Sequence, residues 1–212
     1  MLPQAFWTSL RILVFRSGPE DFPYETGKRL SAACIAFGVL ANAALAAVMG
    51  QMAVVLKVLP QAPPLWGDIV LGVVSVGAMG LFTRVMLRAR QLESRFQQTF
   101  NALLATSSIL SLLLVFPIMQ LLPFLPVVQE LRKKMLENPE LVNDPAATSG
   151  VPAWTLLFWV MTLLLPVWQF AVTAFIYRRA ANTKVGGGIF IALLCLLAVM
   201  SFKDIFSVLL LS

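Results

Sequence analysis

The chain has 212 residues, of which 59% are hydrophobic and only 12% are charged. Soluble domains carry about 25% charged residues, so this composition excludes an ordinary soluble domain and predicts an integral membrane protein. The net charge of +6 does not indicate a nucleic-acid partner, because the basic residues cluster beside apolar runs, where anionic lipid and insertion topology account for them. The chain contains no histidine, which excludes the usual metal ligand and the Ser-His and Cys-His nucleophile arrangements.

Residues 1–29 predict a cytoplasmic N-terminal segment made of a short interfacial helix and a loop. Leu2, Phe6, Leu10 and Leu13 recur at helical spacing, and a helix this short lies along a membrane surface because it cannot cross a hydrocarbon core of about 30 Å. No small-residue cleavage site follows it, so we expect the segment to remain in the mature protein.

The loop after this helix combines two prolines and a glycine, which end a helix, with two acidic residues that favour water. It is either a linker or a compact surface that contacts a cytoplasmic partner. The candidate partner-binding residues are Gly18, Pro19, Glu20, Asp21, Phe22 and Pro23.

Residues 30–212 predict an all-α fold, a polytopic membrane helix bundle with five transmembrane helices. Each apolar run is long enough to cross a membrane at about 1.5 Å per residue. Pro117 and Pro166 predict bends in the third and fourth spans, because a proline frees a backbone carbonyl. The predicted spans are 30–56, 66–87, 96–122 (or from 100), 154–177 and 189 to the C-terminus.

The first two spans are rich in small residues at helical spacing. Small side chains let two helix backbones approach closely, which favours helix association in lipid. The helix-packing candidates are Ala43, Ala46, Ala47 and Gly50 in the first span, and Gly72, Ser75 and Ala78 in the second.

The basic residues predict the orientation of the bundle. Eleven of the sixteen Lys and Arg residues lie in the N-terminal segment and in the second and fourth loops, and the other side of the membrane receives five. The positive-inside rule therefore places the N-terminus in the cytoplasm and the C-terminus in the periplasm or outside the cell. The longest polar segment, at about 123–152, then becomes an external loop that opens with a short amphipathic helix.

Lys203 and Asp204 are the most conspicuous charges inside an apolar run. They predict either an interfacial pair that ends the fifth span or a charge site on a substrate or ion path. The neutral polar residues of the spans, such as Asn42, Thr162 and Thr173, predict hydrogen bonds between helices. The run Thr106, Ser107, Ser108 and Ser111 predicts hydroxyls bonded to carbonyls of their own helix.

No motif for chemistry is present in the sequence. Cys34 and Cys195 lie in apolar runs, where small packing residues are expected. Gly186, Gly187 and Gly188 predict a flexible turn, since no strand precedes them to form a phosphate-binding loop. We therefore expect a protein that is not an enzyme and that has no catalytic residue, bound cofactor or metal.

The stretch Arg95–Leu103, together with the five-span layout, resembles the bacterial members of the Yip1-like family of membrane proteins. The aspartate-leucine-tyrosine-glycine-proline motif of the eukaryotic members is absent, and Gly18–Pro23 is a distant echo of it. The resemblance implies a multi-span protein of the bacterial inner membrane. In eukaryotes the family implies vesicle trafficking with small GTPases, which is not carried over to this chain.

Two functional hypotheses remain after this reading. The first is a non-enzymatic membrane scaffold or accessory subunit that packs with or docks a partner. The second is a small membrane transporter or lipid-handling protein that uses the two proline bends and the Lys203–Asp204 pair. The expected partners are membrane lipids and either another membrane protein or further copies of the chain, without nucleic acid.

Overall fold

The computed structural model describes residues 2–24, 28–137 and 152–211. Every regular element in these ranges is helical. Three short 3-10 turns, Pro19–Asp21, Glu93–Arg95 and Leu122–Phe124, join or precede the longer helices. The α-helices are α1 Leu2–Leu13, α2 Arg29–Val55, α3 Leu65–Ala89, α4 Phe96–Leu121, α5 Leu125–Glu137, α6 Thr155–Ala180 and α7 Val185–Leu211.

Five of the helices, α2, α3, α4, α6 and α7, are long and apolar enough to cross a membrane. They have 25 to 27 residues each, which corresponds to roughly 38–40 Å of helix and exceeds a hydrocarbon core of about 30 Å. The predicted fold class, an all-α bundle of five such helices with a short N-terminal helix, is therefore confirmed. Of the predicted external segment, α5 lies within the described residues, whereas positions 138–151 lie outside them.

Helix α4 occupies the centre of the bundle. It contacts α2 and α6 most extensively, and also α1 and α3, while α7 closes the far side by contacting α3 and α6. The most apolar window of this span is 61% buried, against 11% to 28% in the other four. Ala102 and Leu104 of α4 are fully buried and form the middle of the core.

The hydroxyls of α4 can occupy this central position because they bond to their own helix. Thr106 donates to Ala102 O at 2.7 Å, and Ser107 and Ser108 donate to Leu104 O at 3.2 and 2.6 Å. Such local bonds satisfy a buried hydroxyl without a partner on another helix. This prediction is confirmed for the three residues. The helical assignment of α4 runs unbroken through Pro117, and that of α6 through Pro166.

Four of the described helices end in the same hydrogen-bonded cap, in which the second residue after the helix has a positive φ. Phe15 ends α1, Lys57 ends α2, Gln91 ends α3 and Asn182 ends α6, with φ between 49° and 59°. In each case the next amide donates to the carbonyl five residues earlier, as Arg16 does to Arg11 at 2.9 Å. This is the Schellman arrangement, in which the residue with positive φ is usually glycine. Its hydrogen bonds satisfy the last carbonyls of the helix.

The triple glycine at 186–188 is part of α7, so the predicted flexible turn is wrong. A Cβ at Gly188 would lie 2.6 Å from Ala174 O and 3.1 Å from Arg178 Cα of α6. The close approach of α6 and α7 thus requires glycine at 188, whereas nothing lies within 4 Å of a Cβ at Gly186, and none of the three glycines adopts a positive φ. The fifth span therefore begins at Val185 and not at Ile189.

Candidate functional site

The candidate site lies at the end of the bundle where the N-terminal loop, the start of α4 and the end of α6 meet. Gln98 of α4 contacts the loop, and Arg95 contacts the last residues of α6. Two long helices, α2 and α3, separate the loop from the start of α4, and α4 and α6 separate that start from the end of α6, so the chain returns to the same end each time and most basic residues gather there. We call it the basic end; its Lys and Arg residues are Arg11, Arg16, Lys28, Arg29, Arg84, Arg88, Arg90, Arg95, Arg178, Arg179 and Lys184.

The loop at residues 17–23 has a defined, hydrogen-bonded structure. Pro19 opens a 3-10 turn, and the Gly18 amide donates to Asp21 Oδ2 at 3.0 Å while the Asp21 amide donates back to Gly18 O. A proline at the first helical position fits because its missing N–H has no partner there. Gln98 Nε2 donates to Phe22 O at 3.0 Å and to Glu20 O at 3.3 Å, which fastens the loop to α4.

Burial divides the six predicted partner-binding residues into two groups. Gly18, Pro19 and Phe22 are buried, and Phe22 is only 1% exposed. The expectation that Phe22 offers an aromatic contact to a partner is therefore corrected, because its ring belongs to the core of the bundle. Glu20 and Asp21 are exposed and Pro23 is half-buried, so the surface of the loop is acidic.

A cavity of about 530 Å³ opens between this loop, α4 and α6. Three arginines, Arg95, Arg178 and Arg179, and one carboxylate, Glu20, line it. The remaining lining residues are Pro19, Gln98, Thr99, Ala180, Asn182 and Thr183. Positive charge therefore exceeds negative charge in this polar cavity. The cavity was not predicted from the sequence.

Arg95 and Arg179 hold the walls of this cavity together. Arg95 Nη1 lies 3.4 Å from Ala180 O, 3.5 Å from Arg179 O and 3.3 Å from Asn182 Oδ1, so it reaches the carbonyl end of α6. A cation at a helix C-terminus is favourable because the helix dipole is negative there. Arg179 Nε pairs with Glu20 Oε1 at 3.3 Å, and both side chains are about half exposed, so solvent weakens the pair.

A second polar cluster lies inside the bundle, where α3, α6 and α7 meet. The Tyr177 hydroxyl is 2.8 Å from Thr83 Oγ1 and 3.2 Å from Cys195 Sγ, and Thr83 also donates to Met79 O at 2.7 Å. Thr83 and Tyr177 are fully buried and Cys195 is 3% exposed. From the sequence, Tyr177 is predicted to end the fourth span and Cys195 to be a packing residue, so this network was not predicted.

A third polar contact joins α4 to the first turns of α2. Gln97 Nε2 and Asn101 Nδ2 both donate to Ser31 Oγ, at 3.2 and 3.1 Å. Asn101 is fully buried and its Oδ1 has no hydrogen-bond partner among the described residues. Gln97, Gln98 and Asn101 all belong to the stretch Arg95–Leu103 that carries the family resemblance. In this structure the stretch fastens α4 to α2 and to the loop.

The predicted hydrogen bonds between helices are wrong for three of the residues for which we expected them. Asn42 donates to Gly38 O, Thr162 to Phe158 O and Thr173 to Gln169 O, each within its own helix. Bonds between helices are made instead by Thr83, Tyr177 and Cys195, and by Gln97 and Asn101 with Ser31. Trp168 Nε1 of α6 also donates to Leu13 O of α1 at 3.2 Å.

The structure places the helix-packing candidates at contacts of different closeness. A Cβ at Gly72 would lie 2.6 Å from Val39 O and 3.4 Å from Ala43 N, so the backbones of α2 and α3 touch there. A Cβ at Gly50 would lie 2.9 Å from Pro63 Cδ. Ala43, Gly50, Gly72, Ser75 and Ala78 are buried, whereas Ala46 and Ala47 are half-buried.

Lys203 and Asp204 lie in the last third of α7 and not beyond its end. Lys203 is half-buried and Asp204 is exposed, as are most of the described side chains from Met200 to Val208. Helix α7 continues past the pair to Leu211, and both the interfacial pair and the charge site on a substrate or ion path stay predictions.

No protein-family model, curated protein or solved structure matches the chain.

Proposed function

We propose that this protein is a non-enzymatic integral membrane scaffold or accessory subunit of the bacterial inner membrane, related to the Yip1-like family. The observation that carries the proposal is the loop at residues 17–23, which is folded, fastened to α4 and α6, and acidic on its outer surface. A rigid loop costs little conformational entropy when it binds, so it suits a docking surface better than a linker does.

The distribution of charge supports an orientation with this loop in the cytoplasm. The basic end gathers eleven of the sixteen Lys and Arg residues, including those from three separate segments of the chain. The positive-inside rule then places the loop, α1 and the arginine cavity on the cytoplasmic side, and α5 and the C-terminus on the other.

The alternative of a transporter has weaker support from the same geometry. A transport path needs polar groups that face a cavity within the span, and the buried hydroxyls of α3, α4 and α6 are bonded to carbonyls or to each other. Lys203 is half-buried and Asp204 is exposed, and both lie on a segment of α7 that contributes little to the core.

The test is site-specific photo-crosslinking from the loop in living cells. Tyr24 is 60% exposed beside the loop, so a benzoylphenylalanine there should give one dominant cross-link to a membrane protein or to a second copy of the chain. The same group at Trp66, 56% exposed at the opposite end of the bundle, is the matched control and should not give that band. A smear of low-yield products from Tyr24, equal to that from Trp66, would contradict a docking role.

A further inference from the structure

Arg178 lies at the junction of two recesses of different chemistry. On one side it lines the polar arginine cavity of about 530 Å³. On the other it ends an apolar groove of about 350 Å³ on the outer surface of α6 and α7. The groove is lined by Val167, Phe170, Ala171, Ala174, Phe175, Val185 and Ile189. The Arg178 side chain therefore lies between the arginine cavity and the apolar groove.

The charges of the cavity are not balanced by the protein. Glu20 pairs with Arg179, while Arg95 contacts only neutral oxygen atoms. Among the described residues Arg178 has no carboxylate within ion-pair distance, and its guanidinium lies 5.7 Å from the centre of the Phe175 ring. The cavity thus carries two positive charges without a matching acid, in a place walled by helices on two sides.

The groove has the dimensions of a lipid chain. From Val167 to Arg178 it follows one face of α6 for eleven residues, which corresponds to roughly 16 Å at the rise of an α-helix. Its described walls carry no charge other than Arg178, and they include the small side chains of Ala171 and Ala174. It leads away from the basic end toward the middle of the proposed membrane.

We propose that this pair of recesses binds one anionic phospholipid. Its phosphate lies between Arg178 and Arg95 in the cavity, and one acyl chain lies along the groove of α6 and α7. The proposal rests on the proposed membrane placement, with the basic end in the cytoplasmic leaflet, where anionic lipids are attracted to clustered arginines. Arg fits this role better than Lys because its planar guanidinium donates two parallel hydrogen bonds to a phosphate.

The apolar groove is what favours a lipid over free phosphate. A small anion would need the cavity alone and would leave the groove without a role. A phospholipid satisfies the charge and the groove together, and its head group remains at the depth where Arg95 and Arg178 meet the end of α6.

The experiment is native mass spectrometry of the purified full chain titrated with phosphatidylglycerol and, separately, with phosphatidylcholine. The wild type should retain one phosphatidylglycerol in preference to phosphatidylcholine. Arg178→Gln should weaken phosphatidylglycerol binding about five-fold, the effect expected from one basic residue. Glu20→Gln should strengthen it, because the substitution removes the carboxylate of the cavity. Arg90→Gln, an exposed arginine of the basic end outside the cavity, is the matched control and should change nothing.

Two further variants separate the head group from the chain. Ala171→Trp should fill the groove and weaken lipid retention, while Arg178→Lys keeps the charge and should lose less affinity than Arg178→Gln. Thermal unfolding of each variant shows that it is folded. Equal retention of the two lipids, or an equal loss in Arg90→Gln, would overturn the proposal. Displacement of the lipid by excess inorganic phosphate in wild type and Ala171→Trp alike would assign the cavity to free phosphate.

The outcome is independent of the docking proposal. The purified chain is tested without any partner, so failure to find a cross-link from Tyr24 leaves the lipid result unchanged. Loss of lipid selectivity likewise leaves a cross-linked partner in place.

Discussion

Among single residues, Tyr177 offers a direct test of the packing, because its hydroxyl joins three helices. It contacts Thr83 and Cys195 on two other helices, and Thr83 keeps its bond to Met79 O when the phenol is lost. Tyr177→Phe should therefore lower the stability of the bundle by about 1 kcal/mol, the usual net value of such a bond between helices in lipid. Thermal unfolding in detergent or lipid nanodiscs measures the change.

The control for this prediction is Tyr24→Phe. The chain has two tyrosines. Tyr24 is 60% exposed, so its hydroxyl faces water and removing it should leave the stability of the fold unchanged. An unfolding temperature for Tyr177→Phe that equals that of Tyr24→Phe would show that the network does not stabilise the bundle.

Residue-scale prediction from the sequence succeeded where the cause is local. A hydroxyl in a helix can always reach a carbonyl three or four residues earlier, so the bonds of Thr106, Ser107 and Ser108 needed no knowledge of the fold. Tyr177 precedes two arginines at the end of a span, where a tyrosine is usually an interfacial anchor. Only the position of α6 between α4 and α7 shows that this tyrosine is fully buried.

At the scale of the elements, the contact of α2 with α3 depends on Gly72. A methyl group there would overlap the Val39 carbonyl, which belongs to a helix backbone and cannot rotate away. Gly72→Ala should therefore separate the two helices locally and destabilise the bundle by roughly 1–3 kcal/mol, as overpacking does in other cores.

Gly77 provides the matched substitution in the same helix. Nothing lies within 4 Å of the position its Cβ would take, so Gly77→Ala should be neutral or stabilising by up to about 1 kcal/mol through helix propensity. Thermal unfolding of the two variants side by side tests the assignment of the interface. Equal effects of the two substitutions would mean that α2 and α3 do not pack as described.

The ends of the elements were harder to predict than their existence. The length and apolar character of the five spans follow from hydropathy, which requires no tertiary information. The glycines at 186–188 favour a turn in isolation, but they lie in α7, and at Gly188 the close approach of α6 leaves no room for a Cβ. Conversely, the helix caps at Lys57 and Gln91 contain no glycine, so no local signal marked them.

At the scale of the molecule, the orientation of the bundle can be tested with single cysteines. Both native cysteines, Cys34 and Cys195, are buried, so a thiol introduced on the surface should dominate labelling. With the basic end in the cytoplasm, Arg90→Cys should react with an impermeant maleimide only after the spheroplasts are lysed. Lys133→Cys on α5 should react in intact spheroplasts, because their medium reaches the outer face of the inner membrane. The reverse pattern would invert the proposed topology.

The arrangement of the helices in the bundle was beyond prediction from one sequence. The sequence indicated that the first two spans pack through small residues, and α2 does contact α3. It did not indicate that α4 is the centre, because buried and lipid-facing residues of a membrane helix are both apolar. The arginine cavity was missed because its walls come from three segments, near residues 19, 95 and 178, that lie far apart in the sequence.

The position of the last helix has a consequence for synthesis. Helix α7 fills the slot between α3 and α6, and its Cys195 meets the hydroxyls of Thr83 and Tyr177. While the ribosome is still making α7, that slot faces lipid, and the Tyr177 hydroxyl keeps its contact with Thr83 but lacks the Cys195 sulfur that it bonds in the finished bundle. Entry of the final span therefore completes this polar network and covers the seam between α3 and α6.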